Sequence, residues 1–127
     1  MSEPQTLLIV DDEPELRALL AAYFVRRGFR VATAEGFESA LAQIRAGNFD
    51  LVISDFLMKG RTGIELLRAS PTDIPFLLLT GHSDLSREEA QREGAFDMVV
   101  KPVSFALLLE TVRQALAQRR PQGRLAG

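Results

Sequence analysis

Four short apolar runs, each closed by a polar residue, constrain this chain more than any other feature. Leu7-Leu8-Ile9-Val10 stops at Asp11-Asp12, and Leu51-Val52-Ile53-Ser54 stops at Asp55. Pro75-Phe76-Leu77-Leu78-Leu79 stops at Thr80-Gly81, and Met98-Val99-Val100 stops at Lys101-Pro102. Runs of this length are too short for core helices and lack polar alternation, as strands buried on both faces do. Arg30 to Ala34 adds a weaker strand, second in chain order.

Segments of helical period lie between these runs. Pro14 suits a first helical turn, and Leu16, Leu19, Leu20, Tyr23 and Phe24 form one apolar stripe that Gly28 ends. Phe37, Ala40, Leu41 and Ile44 form the next, ended at Gly47. A loop with Gly60 and Gly63 precedes a short helix through Ile64, Leu66 and Leu67. Ser104 is a good N-cap for a last helix whose face carries Phe105, Leu108, Leu109, Val112 and Leu116. That helix is expected to fray at Arg119-Arg120-Pro121. Ser86 to Glu93 has strong helix formers and a Ser86…Glu89 capping-box pattern but almost no apolar stripe. It should be the least firmly docked element.

Strand–helix alternation predicts an α/β fold: a doubly wound, five-stranded parallel sheet with right-handed crossovers and helices on both faces. Ligands of such sheets bind beyond the carboxyl ends of the strands. Those ends carry Asp11, Asp12, Asp55, Thr80 and Lys101, so three carboxylates, a hydroxyl and an ammonium should share one crevice. Two carboxylates ~5 Å apart repel by about 3 kcal/mol at an effective dielectric of ~20. Lys101 offsets part of this, and a hard divalent ion such as Mg²⁺, which prefers oxygen ligands, would offset more. A carboxylate beside such an ion and a lysine is a plausible phosphoryl acceptor, giving an acyl phosphate. Thr80 could then donate a hydrogen bond to the new group.

Val-Asp-Asp-Glu at Val10 to Glu13, Ile-Ser-Asp at Ile53 to Asp55, Leu-Thr-Gly at Leu79 to Gly81 and Lys101-Pro102 together resemble the receiver domains of two-component signalling. The resemblance covers about Thr6 to Arg120. It implies a flavodoxin-like (βα)5 fold with strand order 2-1-3-4-5. It further implies phosphorylation of Asp55, direct Mg²⁺ ligation by Asp12 and Asp55, and a water-mediated role for Asp11. The backbone carbonyl of Leu57 would complete the metal shell, Lys101 would contact the phosphoryl group, and Thr80 would move toward it. The Lys101-Pro102 peptide would be cis. Such a switch takes its phosphoryl group from a histidine kinase or phosphotransfer protein, and catalyses its own phosphorylation and dephosphorylation. It acts on a downstream partner or fused effector. The face formed by the Ser86–Glu93 helix, the fifth strand and the Ser104 helix would carry output, and could also form a homodimer. Two residues depart from the family. Met98 replaces the Tyr or Phe found three residues before the lysine, which puts an aromatic-rotamer account of switching in question. Lys59 follows Met58 where the family often has Pro, so the Lys59-Gly60-Arg61 loop should be more mobile and more basic.

Several residues have plainer readings. Asp11-Asp12-Glu13 could serve only as acids at a helix N-terminus. Asp55 could be a loop acid, Thr80 a strand-end residue, and Lys101 a surface lysine beside a turn proline. His82 reads best as a solvated turn residue, and Arg119, Arg120 and Arg124 as a solvated end.

The 127 residues fit one domain, expected over residues 1–120, with 121–127 a disordered tail or linker stub. These residues include no DNA-binding segment, so either a stand-alone regulator or the receiver portion of a longer protein is expected. A net charge of −2 gives no general attraction to nucleic acid or an anionic membrane. The absence of cysteine excludes thiolate zinc sites and cysteine nucleophiles, and suits the cytoplasm. No signal peptide or membrane-length apolar run is present. Competing readings are a phosphorylation-independent receiver-like binding module, a Mg²⁺-dependent aspartyl-phosphate phosphatase and a flavin-binding module. The phosphatase family needs a second Asp two residues after its nucleophile, where this chain has Glu13. A flavin module needs a Ser/Thr/Gly-rich phosphate loop where this chain has acids.

Overall fold

The computed structural model describes residues 3–71, 73–81 and 85–118. His82 and the expected tail, with Arg119, Arg120 and Arg124, lie outside the described residues. Five strands form one parallel sheet: β1 (Thr6–Val10), β2 (Arg30–Ala34), β3 (Leu51–Asp55), β6 (Phe76–Thr80) and β7 (Asp97–Val100). A two-stranded ribbon, β4 (Leu57–Met58) and β5 (Arg61–Thr62), lies between β3 and the third helix. The sheet order is β2-β1-β3-β6-β7. Counting only the sheet's strands, this is the expected 2-1-3-4-5.

The helices are α1 (Pro14–Arg26), α2 (Phe37–Ala46), α3 (Gly63–Ala69), α4 (Arg87–Arg92) and α5 (Phe105–Gln118). Alternate strand residues feed opposite layers of core. Leu7, Ile9, Leu51, Ile53, Leu77 and Leu79 pack with Leu20 and Phe24 of α1 and with Leu108, Val112 and Ala115 of α5. Leu8, Val10, Val52 and Phe76 pack on the other face with Phe37, Ala40, Leu41 and Ile44 of α2 and Leu66 of α3. Each fully buried side chain of this kind contributes about 1.5–3 kcal/mol. Edge-to-face rings, Tyr23 on Phe105 at 5.2 Å and on Phe24 at 5.3 Å, join α1 to α5.

Three expectations need correction. Leu19, placed on the apolar stripe of α1, is 59% exposed. It stands ~60° from Leu16, on the side away from Leu20 and Phe24. The segment after Asp55 is a ribbon instead of an irregular loop, turning at Gly60 with its φ of 77°. Its Arg61 is tied down, lying 3.7 Å over the Phe37 ring and 3.4 Å from Glu65. The start of α3 also carries a capping box absent from the sequence reading: the Thr62 N–H donates to Glu65 at 2.7 Å, and the Glu65 N–H donates to Thr62 Oγ1 at 3.1 Å. The expected Ser86–Glu89 box is present, and Lys101-Pro102 is cis. Of α4, Ala90 alone is buried.

Gly63, the first residue of α3, packs against the end of β3. A Cβ there would lie 2.7 Å from the Asp55 carbonyl oxygen and 2.8 Å from Leu78 Cδ2. Both neighbours belong to the buried sheet, so neither gives easily. Gly63→Ala should cost about 1–3 kcal/mol, as overpacking does. Urea denaturation would read it as a lower midpoint at unchanged slope.

Candidate functional site

Backbone pairing sets the site residues in place. Asp11 follows β1, and its N–H donates to the Ala34 carbonyl at 3.1 Å. Asp55 ends β3, and the next N–H, of Phe56, donates to the Leu79 carbonyl at 2.7 Å. Lys101 follows β7, and its N–H donates to the carbonyl of Thr80, the last residue of β6, at 2.8 Å. Neighbouring strands thus extend their hydrogen bonding up to the candidate site residues.

The three carboxylates and the ammonium converge as the sequence predicts. Carboxylate oxygens of Asp11, Asp12 and Asp55 all lie within 4.8 Å of one another. Lys101 Nζ donates to Asp55 Oδ2 at 3.2 Å. It also lies 3.8 Å from Asp11 Oδ2 and 3.6 Å from Glu13 Oε1. Thr80 is buried, and its hydroxyl donates to the Gly81 carbonyl at 2.9 Å. Leu57 opens the ribbon with its side chain exposed. Met98 is buried beside Ile64, Leu78, Ala90 and Ala95, away from the acids.

Two residues enter that the sequence reading had not placed there. Glu13 is the N-cap of α1 but makes no side-chain cap bond. Its N–H instead donates to Asp11 Oδ1 at 2.8 Å, and its carboxylate faces Lys101. Arg17 Nη1 donates to the Asp11 carbonyl at 2.7 Å and braces the acidic turn from α1. Glu13 had a sequence signal, being contiguous with Asp12. Arg17, one helical turn further on, had none beyond its charge.

The electrostatics are strained. Burial pushes the Asp55 carboxyl up to about 6, with the Asp11 and Asp12 carboxylates adding to burial and Lys101 opposing it. Asp11 is raised chiefly by burial, against the lowering effects of the Glu13 N–H and Lys101. Burial by itself would lower Lys101, but Asp55, Asp11 and Glu13 outweigh it and raise the ammonium above its ordinary range. Asp11 Oδ2 is buried and accepts no hydrogen bond among the described residues, Lys101 being too distant for more than an ion pair. A buried, unpartnered carboxylate oxygen in an all-oxygen cluster suits a hard divalent cation.

Comparison with known proteins agrees with this geometry. The family profile described as response regulator receiver domain matches residues 7–113. The transcriptional regulatory protein ZraR of Salmonella typhimurium is 38% identical over 121 residues, which are 92% of this chain and 27% of that protein. The C4-dicarboxylate transport transcriptional regulatory protein DctD of Rhizobium meliloti is 33% identical over 124 residues, 94% of this chain and 27% of that protein. The chain therefore spans about a quarter of the length of these relatives. The response regulator TrrA of Thermotoga maritima, solved in complex with Mg²⁺–BeF, superposes with a TM-score of 0.78 at 37% identity. That match covers 87% of this chain and 98% of TrrA. No described helix is long and apolar enough to cross a membrane.

The raised Asp55 pKa fixes the sign of a pH effect. The folded chain holds this proton more tightly than the unfolded chain, so rising pH costs stability between about 4 and just above 6. With the folded value at about 6, the total is about 3 kcal/mol. Urea midpoints measured in chelator should fall over that window in the wild type. In Asp55→Asn the fall should be much smaller, and the variant should be the more stable protein at pH 7.

Proposed function

The chain belongs to the response regulator receiver domain family, and from that premise we propose that it is a switch set by phosphorylation of Asp55. One observation carries the reading: Lys101 reaches Asp55 at 3.2 Å, at the edge where Asp11 and Asp12 also meet it. In this reading Asp12 and Asp55 would hold Mg²⁺ directly, Asp11 would act through water, and the Leu57 backbone carbonyl would be a further ligand. Bound there, Mg²⁺ would offset the charge of the carboxylates and of the phosphoryl oxygens. Asp55 attacks phosphorus through a carboxylate oxygen as the bond from phosphorus to the donor histidine nitrogen breaks, and that nitrogen keeps the electron pair. Lys101 moves from its carboxylate partners to a phosphoryl oxygen and steadies the charge on it. Thr80 turns its hydroxyl from the Gly81 carbonyl to the phosphoryl group. The activity is that of a signalling switch, with phosphoryl loss catalysed by the same groups.

The donor in this reading is a sensor histidine kinase or histidine phosphotransfer protein in the cytoplasm. The recipient is a protein partner or a fused effector; neither nucleic acid nor membrane is contacted directly. Output passes through α4, β7 and α5, which can also support a homodimer. Met98 lies under this face and takes the place of an aromatic switch residue; a thioether fills such a gap in more than one rotamer. A phosphorylation-independent binding module would have no use for a buried, destabilising acid cluster.

Mass spectrometry after treatment with acetyl phosphate and Mg²⁺ should show one added phosphoryl group on the wild type and none on Asp55→Asn. Equal labelling of the two proteins would overturn the assignment. Millimolar Mg²⁺ should also raise the melting temperature by linkage. Asp12→Ala should abolish that rise while keeping a cooperative transition.

A further inference from the structure

The Glu13 carboxylate has a position that helix capping does not explain. Its residue is the N-cap of α1, yet its side chain caps nothing and faces Lys101 Nζ at 3.6 Å. It is also the outermost acid of the group. The Glu13 side chain is 65% exposed, whereas those of Asp11 and Asp55 are 0% and 10% exposed. Lys101 thus has a buried hydrogen-bonded partner, Asp55, and a solvent-side partner, Glu13, too distant for a hydrogen bond.

Charge around the lysine is unbalanced. Asp11, Asp12, Glu13 and Asp55 carry four negative charges against the one ammonium of Lys101, leaving three. A divalent ion in the acid cluster would leave one, equal to the charge that Glu13 itself supplies. Arg17 and Lys59 line a cleft on the Asp12 side, which they share with Glu35 and Glu38. Arg17 reaches the Asp11 carbonyl, and neither residue forms an ion pair with the clustered acids among the described residues.

We infer that Glu13 is a specificity-determining residue for phosphodonors, holding Lys101 at the mouth of the site and disfavouring small dianionic donors relative to less charged ones. The inference rests on the reading of Asp55 as phosphoacceptor. In the step concerned, an Asp55 carboxylate oxygen forms a bond to phosphorus as the bond from phosphorus to the leaving group breaks. From acetyl phosphate, a dianion, acetate leaves with the electron pair. From phosphoramidate, a monoanion near neutral pH, ammonia leaves with the proton its nitrogen already carries. Both donors deliver the same phosphoryl group, but the first meets more repulsion from an exposed carboxylate.

The test measures initial phosphorylation rates against donor concentration, with Mg²⁺ present, for wild type, Glu13→Gln and Glu13→Asp. Glu13→Gln should lower the half-saturating concentration of acetyl phosphate roughly two- to fivefold, the scale of an exposed charge interaction. Its maximal rate should change less, and phosphoramidate should shift by less than about twofold. High salt should shrink the difference, because exposed charges are screened. Glu13→Asp, which keeps the charge, should stay near wild type. In chelated protein, without any phosphodonor, the Lys101 ¹Hε–¹³Cε resonance should move in Glu13→Gln. An unchanged half-saturation for acetyl phosphate, an equal change for both donors, or an indifferent Lys101 resonance overturns the inference. A wild type that takes a phosphoryl group from neither donor defeats the phosphoacceptor reading itself, and is told apart by that result.

Discussion

Parallel pairing of β1, β3, β6 and β7 obliges their last residues to share one edge, and everything else about this molecule follows from that obligation. The pairing continues one residue past β1, β3 and β7, through the N–H groups of Asp11, Phe56 and Lys101. Asp11, Asp55 and Lys101 are thereby held by the sheet and not by loops, with the precision that strands give. Register cannot drift to relieve them. A one-residue slip of β1 would exchange Leu7 and Ile9 for Leu8 and Val10 between two differently packed layers.

Such rigidity lets the fold sustain an arrangement that electrostatics opposes. The acids that meet at the edge repel one another, and their burial, the larger effect, raises the carboxyls of Asp11 and Asp55 above their ordinary range. Core burial on both faces of the sheet offsets the cost, most of it from side chains remote from the acids. Gly63 shows how little slack remains, since the Asp55 carbonyl stands where a side chain would begin. A buried cluster of like charges breaks local consistency, which is where a functional site is expected to do so.

The strands and their polar ends were legible because a strand buried on both faces has to be an uninterrupted apolar run, and the residue that ends the run marks the edge. Asp11, Asp12, Asp55 and Lys101 were therefore found from one sequence and meet as read. What escaped reading has physical reasons. Leu19 lies beyond the margin of its stripe, on the side away from the buried Leu20 and Phe24, and spacing along the chain does not say which margin of the stripe faces the core. Strands of two residues, as in β4 and β5, have no period to detect. The Thr62…Glu65 capping box did have a sequence signature, overshadowed by Gly60 before it and Gly63 within it. The contact of Glu13 with Lys101 links the ends of two strands almost ninety residues apart, which local pattern cannot report.

The least apolar helix adjoins this edge, and its anchorage differs in kind from the rest. Helix α4 buries only Ala90; its ends are held by polar groups. At the start Arg87 donates to Asp97 at 2.6 Å and to the Met98 carbonyl at 3.3 Å. Just past the end, Glu93 pairs with Arg68 of α3 at 2.7 Å. Exposed pairs of this sort contribute little and weaken with salt, so α4 has less packing to undo than any helix whose stripe enters the main core. Its one apolar footing is the cluster of Leu78 and Met98, two residues before Thr80 and three before Lys101 on β6 and β7. A displacement of Thr80 or Lys101 has that short a path to travel before it meets the element least able to resist it.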